Sequence, residues 1–152
     1  MALDDIYKEV ILDHYKSPRN KRELAGATFA CTANNPLCGD EITVFANVEE
    51  GNVTEVTFQG AGCSISQSSA SMMTEAVVGK TVEEAKQMAA DFRGMMAGEA
   101  DPSEDVFGEL VALKGVVKYP IRIKCAVLSW DVLQDALNGA GEASGVQPHA
   151  VG

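Results

Sequence analysis

Three cysteines and one aspartate have side chains that could bind a metal ion or perform thiol chemistry. They are Cys38 and Asp40 in NPLCGDEI, Cys63 in GAGCSISQ and Cys125 in YPIRIKCAV. Three thiolates and one carboxylate make four ligands, the number that zinc takes in tetrahedral protein sites. The thiolate is also the nucleophilic form of cysteine. Because the chain has no CxxC pair, spacing alone leaves three readings open for each cysteine: metal ligand, nucleophile, or small buried apolar residue.

Each of these residues lies where one predicted element gives way to the next. Cys38 falls in the turn before a strand, Cys63 in a glycine-rich turn before a helix, and Cys125 near the start of the last helix. The ends of elements can converge in space even when they are far apart in sequence. Gly39 lets the side chains of Cys38 and Asp40 point to the same side of their turn. Asp40 has an alternative role, since an aspartate often closes a turn by bonding to nearby backbone.

Two basic residues lie close to Cys125 in the sequence. Three thiolates and one carboxylate around zinc would leave two negative charges, and Arg122 is our candidate for offsetting them or for contacting a partner protein. The alternative for Arg122 is a solvated surface residue. Lys124 is not expected to be a ligand, because a protonated amine has no lone pair to donate.

Composition and charge exclude several classes of protein. The 152 residues include 12 basic and 22 acidic side chains, a formal charge of −10 that disfavours nucleic acid as a partner. No secretory signal and no apolar run long enough for a membrane span is apparent, so we expect no membrane association and a cytoplasmic location. Thiols stay reduced there, which argues against a disulfide framework. Cys31 lies inside a predicted strand and is assigned no role.

The hydrophobic pattern predicts an α+β fold with a small antiparallel three-stranded sheet, an N-terminal helix and further helices packed on one face of the sheet. His14 continues the apolar face of the first helix and is read as a boundary histidine rather than a metal ligand. Thr81 and Glu84 have the spacing of a capping box. The predicted strands lie within residues 27–33, 41–49 and 51–60, and residues 1–138 form a single domain followed by a flexible tail, 139–152.

Three segments of this chain resemble the motifs of the U-type (IscU/NifU-like) iron–sulfur cluster assembly family. They are NPLCGDEI, GAGCSISQSSASMMTE and YPIRIKCAVLSWDVL, in the family's order, and the similarity extends over most of residues 2–138. The stretch 79–100 resembles an addition found in the SufU branch. In the IscU scaffold branch a histidine precedes the last cysteine, whereas this chain has Lys124, which removes an expected ligand.

The resemblance implies a zinc-dependent sulfurtransferase that binds zinc through Cys38, Asp40, Cys63 and Cys125. It would accept persulfide sulfur from the cysteine desulfurase SufS and pass it to downstream Suf cluster-assembly proteins. Cys38 is the implied acceptor, released from zinc when a histidine of the desulfurase replaces it. An alternative is an IscU-type scaffold that holds a transient iron–sulfur cluster on the same cysteines. A third reading is a purely structural zinc domain.

Overall fold

The computed structural model describes residues 3–35, 39–138 and 148–150. Cys38, the predicted sulfur acceptor, lies outside the described residues. Within them, no helix is both long enough and apolar enough to cross a membrane. The elements in chain order are α1 (Leu3–Lys16), β1 (Phe29–Asn35), β2 (Asp40–Glu49), β3 (Asn52–Ala61), α2 (Ser64–Val77), α3 (Val82–Met96), α4 (Glu104–Phe107), a 3₁₀ helix (Gly108–Lys118), α5 (Pro120–Leu137) and β4 (Pro148–Ala150).

The first three strands form the predicted antiparallel sheet. In the β1–β2 pairing, Asn35 lies opposite Asp40, so the end of one strand meets the start of the next. β2 and β3 form a hairpin whose two connecting residues, Glu50 and Gly51, both have positive φ angles of 52° and 79°. Two left-handed residues in a two-residue loop match the twist of the flanking strands. The predicted α+β class with its three antiparallel strands is confirmed.

A fourth short strand, which the sequence did not predict, extends the sheet. β4 pairs with β1 in parallel, with Ala33 opposite His149, and gives the strand order β3–β2–β1–β4. The unpaired backbone groups along an edge strand accept such an addition whatever the side chains are. Three residues of the predicted tail, Pro148–Ala150, thus pair with β1. Residues 139–147 and 151–152 lie outside the described residues.

Helices cover one face of the sheet and enclose the main core. α5 packs against β1 and β2, and α2 packs against β3. The buried Trp130 of α5 stacks on Phe92 of α3 with ring centroids 4.8 Å apart, which links α3 to the sheet through α5. On the opposite face, Phe45 and Ala30 pack in a smaller cluster with Leu24, from the segment between α1 and β1. The helices are thus concentrated on one face, as predicted.

Candidate metal centre

The structure brings Asp40, Cys63 and Cys125 together. One ligand atom from each lies within 4.8 Å of those of the other two. Asp40 is the first residue of β2, Cys63 is the N-cap of α2, and Cys125 lies near the start of α5. Ends of three elements that are remote in sequence therefore meet at one point, at the edge where β1 passes into β2.

The carboxylate of Asp40 joins the sheet to the start of α2. Its Oδ1 accepts a hydrogen bond from the backbone N–H of Cys63 at 2.8 Å, and its Oδ2 is 3.9 Å from the Cys63 Sγ. Asp40 is only 1% exposed. These contacts do not show Asp40 closing its own turn, because its hydrogen-bond partner, Cys63, is 23 residues away. A buried carboxylate this close to a thiol suits a shared cation.

Gly62 allows this close approach of strand and helix. A Cβ placed on Gly62 would lie 2.8 Å from the Ser66 Oγ and would collide with the Asp40 carboxylate. Only a residue without a side chain fits between them. The glycine before Cys63 is therefore required by space at the site.

Cys125 is completely buried and has a polar neighbour. The Asn35 Nδ2 lies 4.0 Å from the Cys125 Sγ, so the amide can donate a weak hydrogen bond to the sulfur. The Ser69 hydroxyl donates to the backbone carbonyl of Ala126 at 2.6 Å and fixes α5 against α2 beside this sulfur. Hydrogen bonds of this kind orient metal ligands and stabilise a thiolate. Sequence reasoning missed Asn35, although its position just before the predicted turn of Cys38 was a usable signal.

Cys63 is the more accessible of the two described site thiols. It is partly exposed, and its side chain makes no capping hydrogen bond to α2. Its sulfur is thus available to a metal ion or a reagent, while the Cys125 sulfur is enclosed.

The segment that contains Cys38 begins and ends at this site. Asn35, before it, lies beside Cys125, and Asp40 is separated from Cys38 only by Gly39, which has a φ of +70°. Covalent geometry limits the Cα atoms of residues two apart to about 7.6 Å. The assignment of Cys38 as ligand and sulfur acceptor stays a prediction, and chain connectivity supports it.

The donor set fits zinc. Ligands that bind zinc at about 2.0–2.3 Å lie roughly 3.3–3.8 Å from one another in a tetrahedral site. The 3.9 Å between the Asp40 Oδ2 and the Cys63 Sγ is close to this spacing. Two thiols, a buried carboxylate and a further cysteine two residues from it provide the soft and borderline ligands that zinc and iron–sulfur clusters both accept.

The remaining sequence candidates lie outside the cluster of ligand atoms. Arg122 and Lys124 are exposed on the first turns of α5. Arg122 lines a cavity of about 420 Å³ that also includes Ser64 and Tyr119, so it borders the residue that follows Cys63. Cys31 is buried in β1, and burial, followed by the charge of Asp135, raises the pKa of its thiol. A protonated buried thiol is a poor nucleophile, in agreement with the absence of an assigned role.

Comparison with known proteins identifies the family. Residues 6–126 match the family described as the NifU-like N terminal domain. The chain belongs to this family. The expectation of a U-type protein of iron–sulfur cluster assembly, based on three short motifs, is confirmed.

Three relatives show the range of the family around this chain. The zinc-dependent sulfurtransferase SufU of Bacillus subtilis is 49% identical over 87% of this chain and 89% of its own length. The iron–sulfur cluster assembly scaffold protein IscU of Streptococcus pyogenes is 40% identical over 93% of this chain and 88% of its own length. The crystal structure of a nitrogen-fixing NifU-like protein (N-terminal) from Brucella abortus superposes with a TM-score of 0.81 at 26% identity, covering 90% and 94% of the two chains.

Proposed function

We propose that this protein is a zinc-dependent sulfurtransferase that accepts persulfide sulfur from the cysteine desulfurase SufS and passes it on to cluster assembly. The observation that carries the proposal is the convergence of the Asp40, Cys63 and Cys125 ligand atoms within 4.8 Å, with Asp40 only two residues after Cys38 in the sequence. The 49% identity to a protein named as a zinc-dependent sulfurtransferase supports it.

Cys38, Asp40, Cys63 and Cys125 are the residues that would hold zinc. Bound zinc keeps cysteine ligands deprotonated and has no redox chemistry of its own. The protein contributes the rest of the site. The Cys63 N–H fixes the Asp40 carboxylate, and the Asn35 amide supports the Cys125 sulfur. These contacts hold Asp40, Cys63 and Cys125 at the ends of a strand and two helices, whereas the sequence predicts a turn at Cys38.

The transfer is an exchange between sulfur atoms. The Cys38 thiolate attacks the outer sulfur of the persulfide on the desulfurase cysteine. A new S–S bond forms at Cys38, the S–S bond of the donor breaks, and the donor cysteine leaves as a thiolate. Cys38 then carries the persulfide. Sulfur atoms and electrons balance, and no external oxidant or reductant is needed.

Arg122 is proposed to act at the rim of this site. It is exposed and borders the cavity that includes Ser64, next to Cys63. A guanidinium at this place attracts an anionic donor persulfide or a carboxylate of the partner surface. Substituting Arg122 should therefore weaken the interaction with the desulfurase and leave zinc content unchanged.

The deciding experiment measures how much the chain stimulates SufS. Cys38→Ala should abolish stimulation of alanine formation, because the acceptor thiolate is lost. Cys31→Ala is the matched control and should stimulate fully, since Cys31 lies in the core of the sheet. Mass spectrometry after one turnover should find the added sulfur on Cys38. Full stimulation by Cys38→Ala would rule the proposal out.

An assembly scaffold is the second candidate, favoured by the 40% identity over 93% of the chain to a protein named as an IscU scaffold. Thiolates that bind zinc also bind iron–sulfur clusters, here as cargo. The two candidate functions can be distinguished by supplying the chain with iron, sulfide and a reductant in the absence of oxygen. A scaffold forms a coloured cluster that it transfers to an apo-ferredoxin, whereas a sulfurtransferase keeps its zinc and stimulates SufS. A structural zinc domain would keep its zinc but would neither form a transferable cluster nor stimulate SufS.

A further inference from the structure

A second group of ligand-type side chains lies away from the cysteine site. His14 comes from the last turn of α1, Glu75 from α2 and Glu109 from the 3₁₀ helix, and one ligand atom of each lies within 4.8 Å of the other two. Glu75 is twelve residues beyond Cys63. A rise of 1.5 Å per residue places it about 18 Å further along the axis of α2. The two clusters are therefore separate.

His14 is the central residue of this group. Its ring is completely buried, with Nδ1 at 2.8 Å from the Ser71 Oγ and Nε2 at 3.3 Å from the Glu109 Oε1. The Ser71 Oγ also accepts the backbone N–H of Arg19 at 2.9 Å. A hydroxyl has two lone pairs, so Ser71 can accept a second hydrogen bond from Nδ1–H. In that tautomer the Nε2 lone pair points toward the Glu109 carboxylate, as in histidines that bind metals.

Three carboxylates near His14 share one guanidinium. Asp13, Glu75 and Glu109 are negative, and Arg19 is the cation that interacts with all three. Arg19 is also held by Asp13, with 2.6 Å between the Arg19 Nη2 and the Asp13 Oδ2. Arg19 is thus shared among three carboxylates, while the Glu75 and Glu109 carboxylates have oxygens within 4.8 Å of each other, an arrangement that a bound cation would stabilise.

The group borders a cavity with room for water. The cavity has a volume of about 140 Å³ and is lined by His14, Glu75 and Glu109 together with the apolar residues Met72, Phe107 and Leu110. Waters in this space can complete the coordination of a metal ion held by three side chains. The apolar wall lowers the local polarity and strengthens the attraction between the carboxylates and a cation.

We propose that His14, Glu75 and Glu109 form a second binding site for a divalent first-row transition cation. One imidazole nitrogen and two carboxylate oxygens suit Mn²⁺, Fe²⁺ or Zn²⁺, whereas Mg²⁺ and Ca²⁺ prefer oxygen ligands alone. A cation there connects α1, α2 and the 3₁₀ helix. If His14 is merely a hydrogen-bonded core residue, no such cation binds.

Mn²⁺ is the probe, because it is detected directly by electron paramagnetic resonance and competes poorly for thiolates. The full chain is loaded with one equivalent of zinc, freed of excess metal and titrated with Mn²⁺. The expected result is one bound Mn²⁺ per chain and a Tm that rises with Mn²⁺ concentration, since a ligand of the folded state stabilises it. The signal should show nitrogen coupling from His14.

The variants Glu75→Gln and Glu109→Gln each remove one exposed carboxylate without disturbing the core. Each should weaken Mn²⁺ binding at least about tenfold. Glu83→Gln, an exposed glutamate on α3, is the matched control and should bind as the wild type does. Absence of Mn²⁺ binding to the wild type, or equal binding by all variants, would overturn the proposal. Neither result bears on sulfur transfer, because no residue of the cysteine site is changed.

Discussion

The Asp40 carboxylate accepts the backbone N–H of Cys63 at 2.8 Å and thereby fastens the first residue of β2 to the start of α2. The other carboxylate oxygen is 3.9 Å from the Cys63 sulfur. The Asp40 side chain thus holds the start of β2 against the start of α2. Its second carboxylate oxygen lies on the side of the Cys63 and Cys125 sulfurs. This contact therefore joins two of the elements that supply residues to the candidate metal centre.

Removing the Asp40 carboxylate should empty the site. Asp40→Ala deletes a proposed zinc ligand and leaves the Cys63 N–H without its acceptor, at a cost of about 1–3 kcal/mol in the free energy of unfolding. Zinc content by atomic emission and Tm by calorimetry should both fall. Glu41→Ala, at the exposed neighbouring position of β2, should change neither. Zinc retained at the wild-type level in Asp40→Ala would exclude Asp40 as a ligand.

Adding a methyl group at Gly62 should push the site apart. In Gly62→Ala the new Cβ meets the Asp40 carboxylate and the Ser66 hydroxyl, and overpacking of this kind costs about 1–3 kcal/mol. We expect a lower Tm and weaker zinc retention in a chelator competition. Gly115→Ala is the control, since a Cβ there meets nothing within 4 Å. Equal behaviour of the two variants would show that the close approach is unimportant.

The cysteines should differ in their reaction with iodoacetamide. Burial raises the pKa of the Cys31 thiol, which keeps it protonated at neutral pH. Cys63 is partly exposed at a helix N-terminus. After zinc is removed with a chelator, peptide mapping should find Cys63 alkylated many times faster than Cys31 in the folded protein. Comparable rates for the two would contradict the difference in burial and the raised pKa of Cys31.

The start of α3 should make stability depend on pH. Two hydrogen bonds from Thr81 lower the pKa of Glu84 below 4.5. The bond from the Thr81 backbone has the larger effect and the bond from its side chain the smaller. The stability that the Glu84 carboxylate contributes is therefore fully present above the ordinary pKa of a glutamate. It is lost as the pH falls through the lower pKa of the folded state. The difference in Tm between wild type and Glu84→Gln should shrink in acid and should be smaller in a Thr81→Ala background. A difference independent of pH would be the contrary result.

Local patterns predicted much of this fold because their causes are local. The Thr81–Glu84 capping box forms as predicted, and α5 turns Leu128, Val132 and Leu133 into the core. Spacing also placed the candidate ligands at element ends. What the sequence could not reveal depends on residues far apart in it.

His14 and Cys125 illustrate such remote contacts. The Glu109 contact of His14 spans 95 positions, and the Asn35 contact of Cys125 spans 90. A buried histidine and a boundary histidine have the same helical periodicity, so the pattern cannot separate them. The parallel pairing of β4 likewise depends on the open edge of the sheet at β1. The sequence of its three residues has no pattern that predicts this pairing.

Zinc content per chain tests the central claim most directly. The protein purified without added metal should contain one zinc, as should Cys31→Ser, in which a cysteine outside the site is replaced. Cys63→Ser and Cys125→Ser should each contain far less, because each loses one of the sulfurs that meet beside Asp40. A wild type without zinc, or site variants that retain one zinc per chain, would contradict the account.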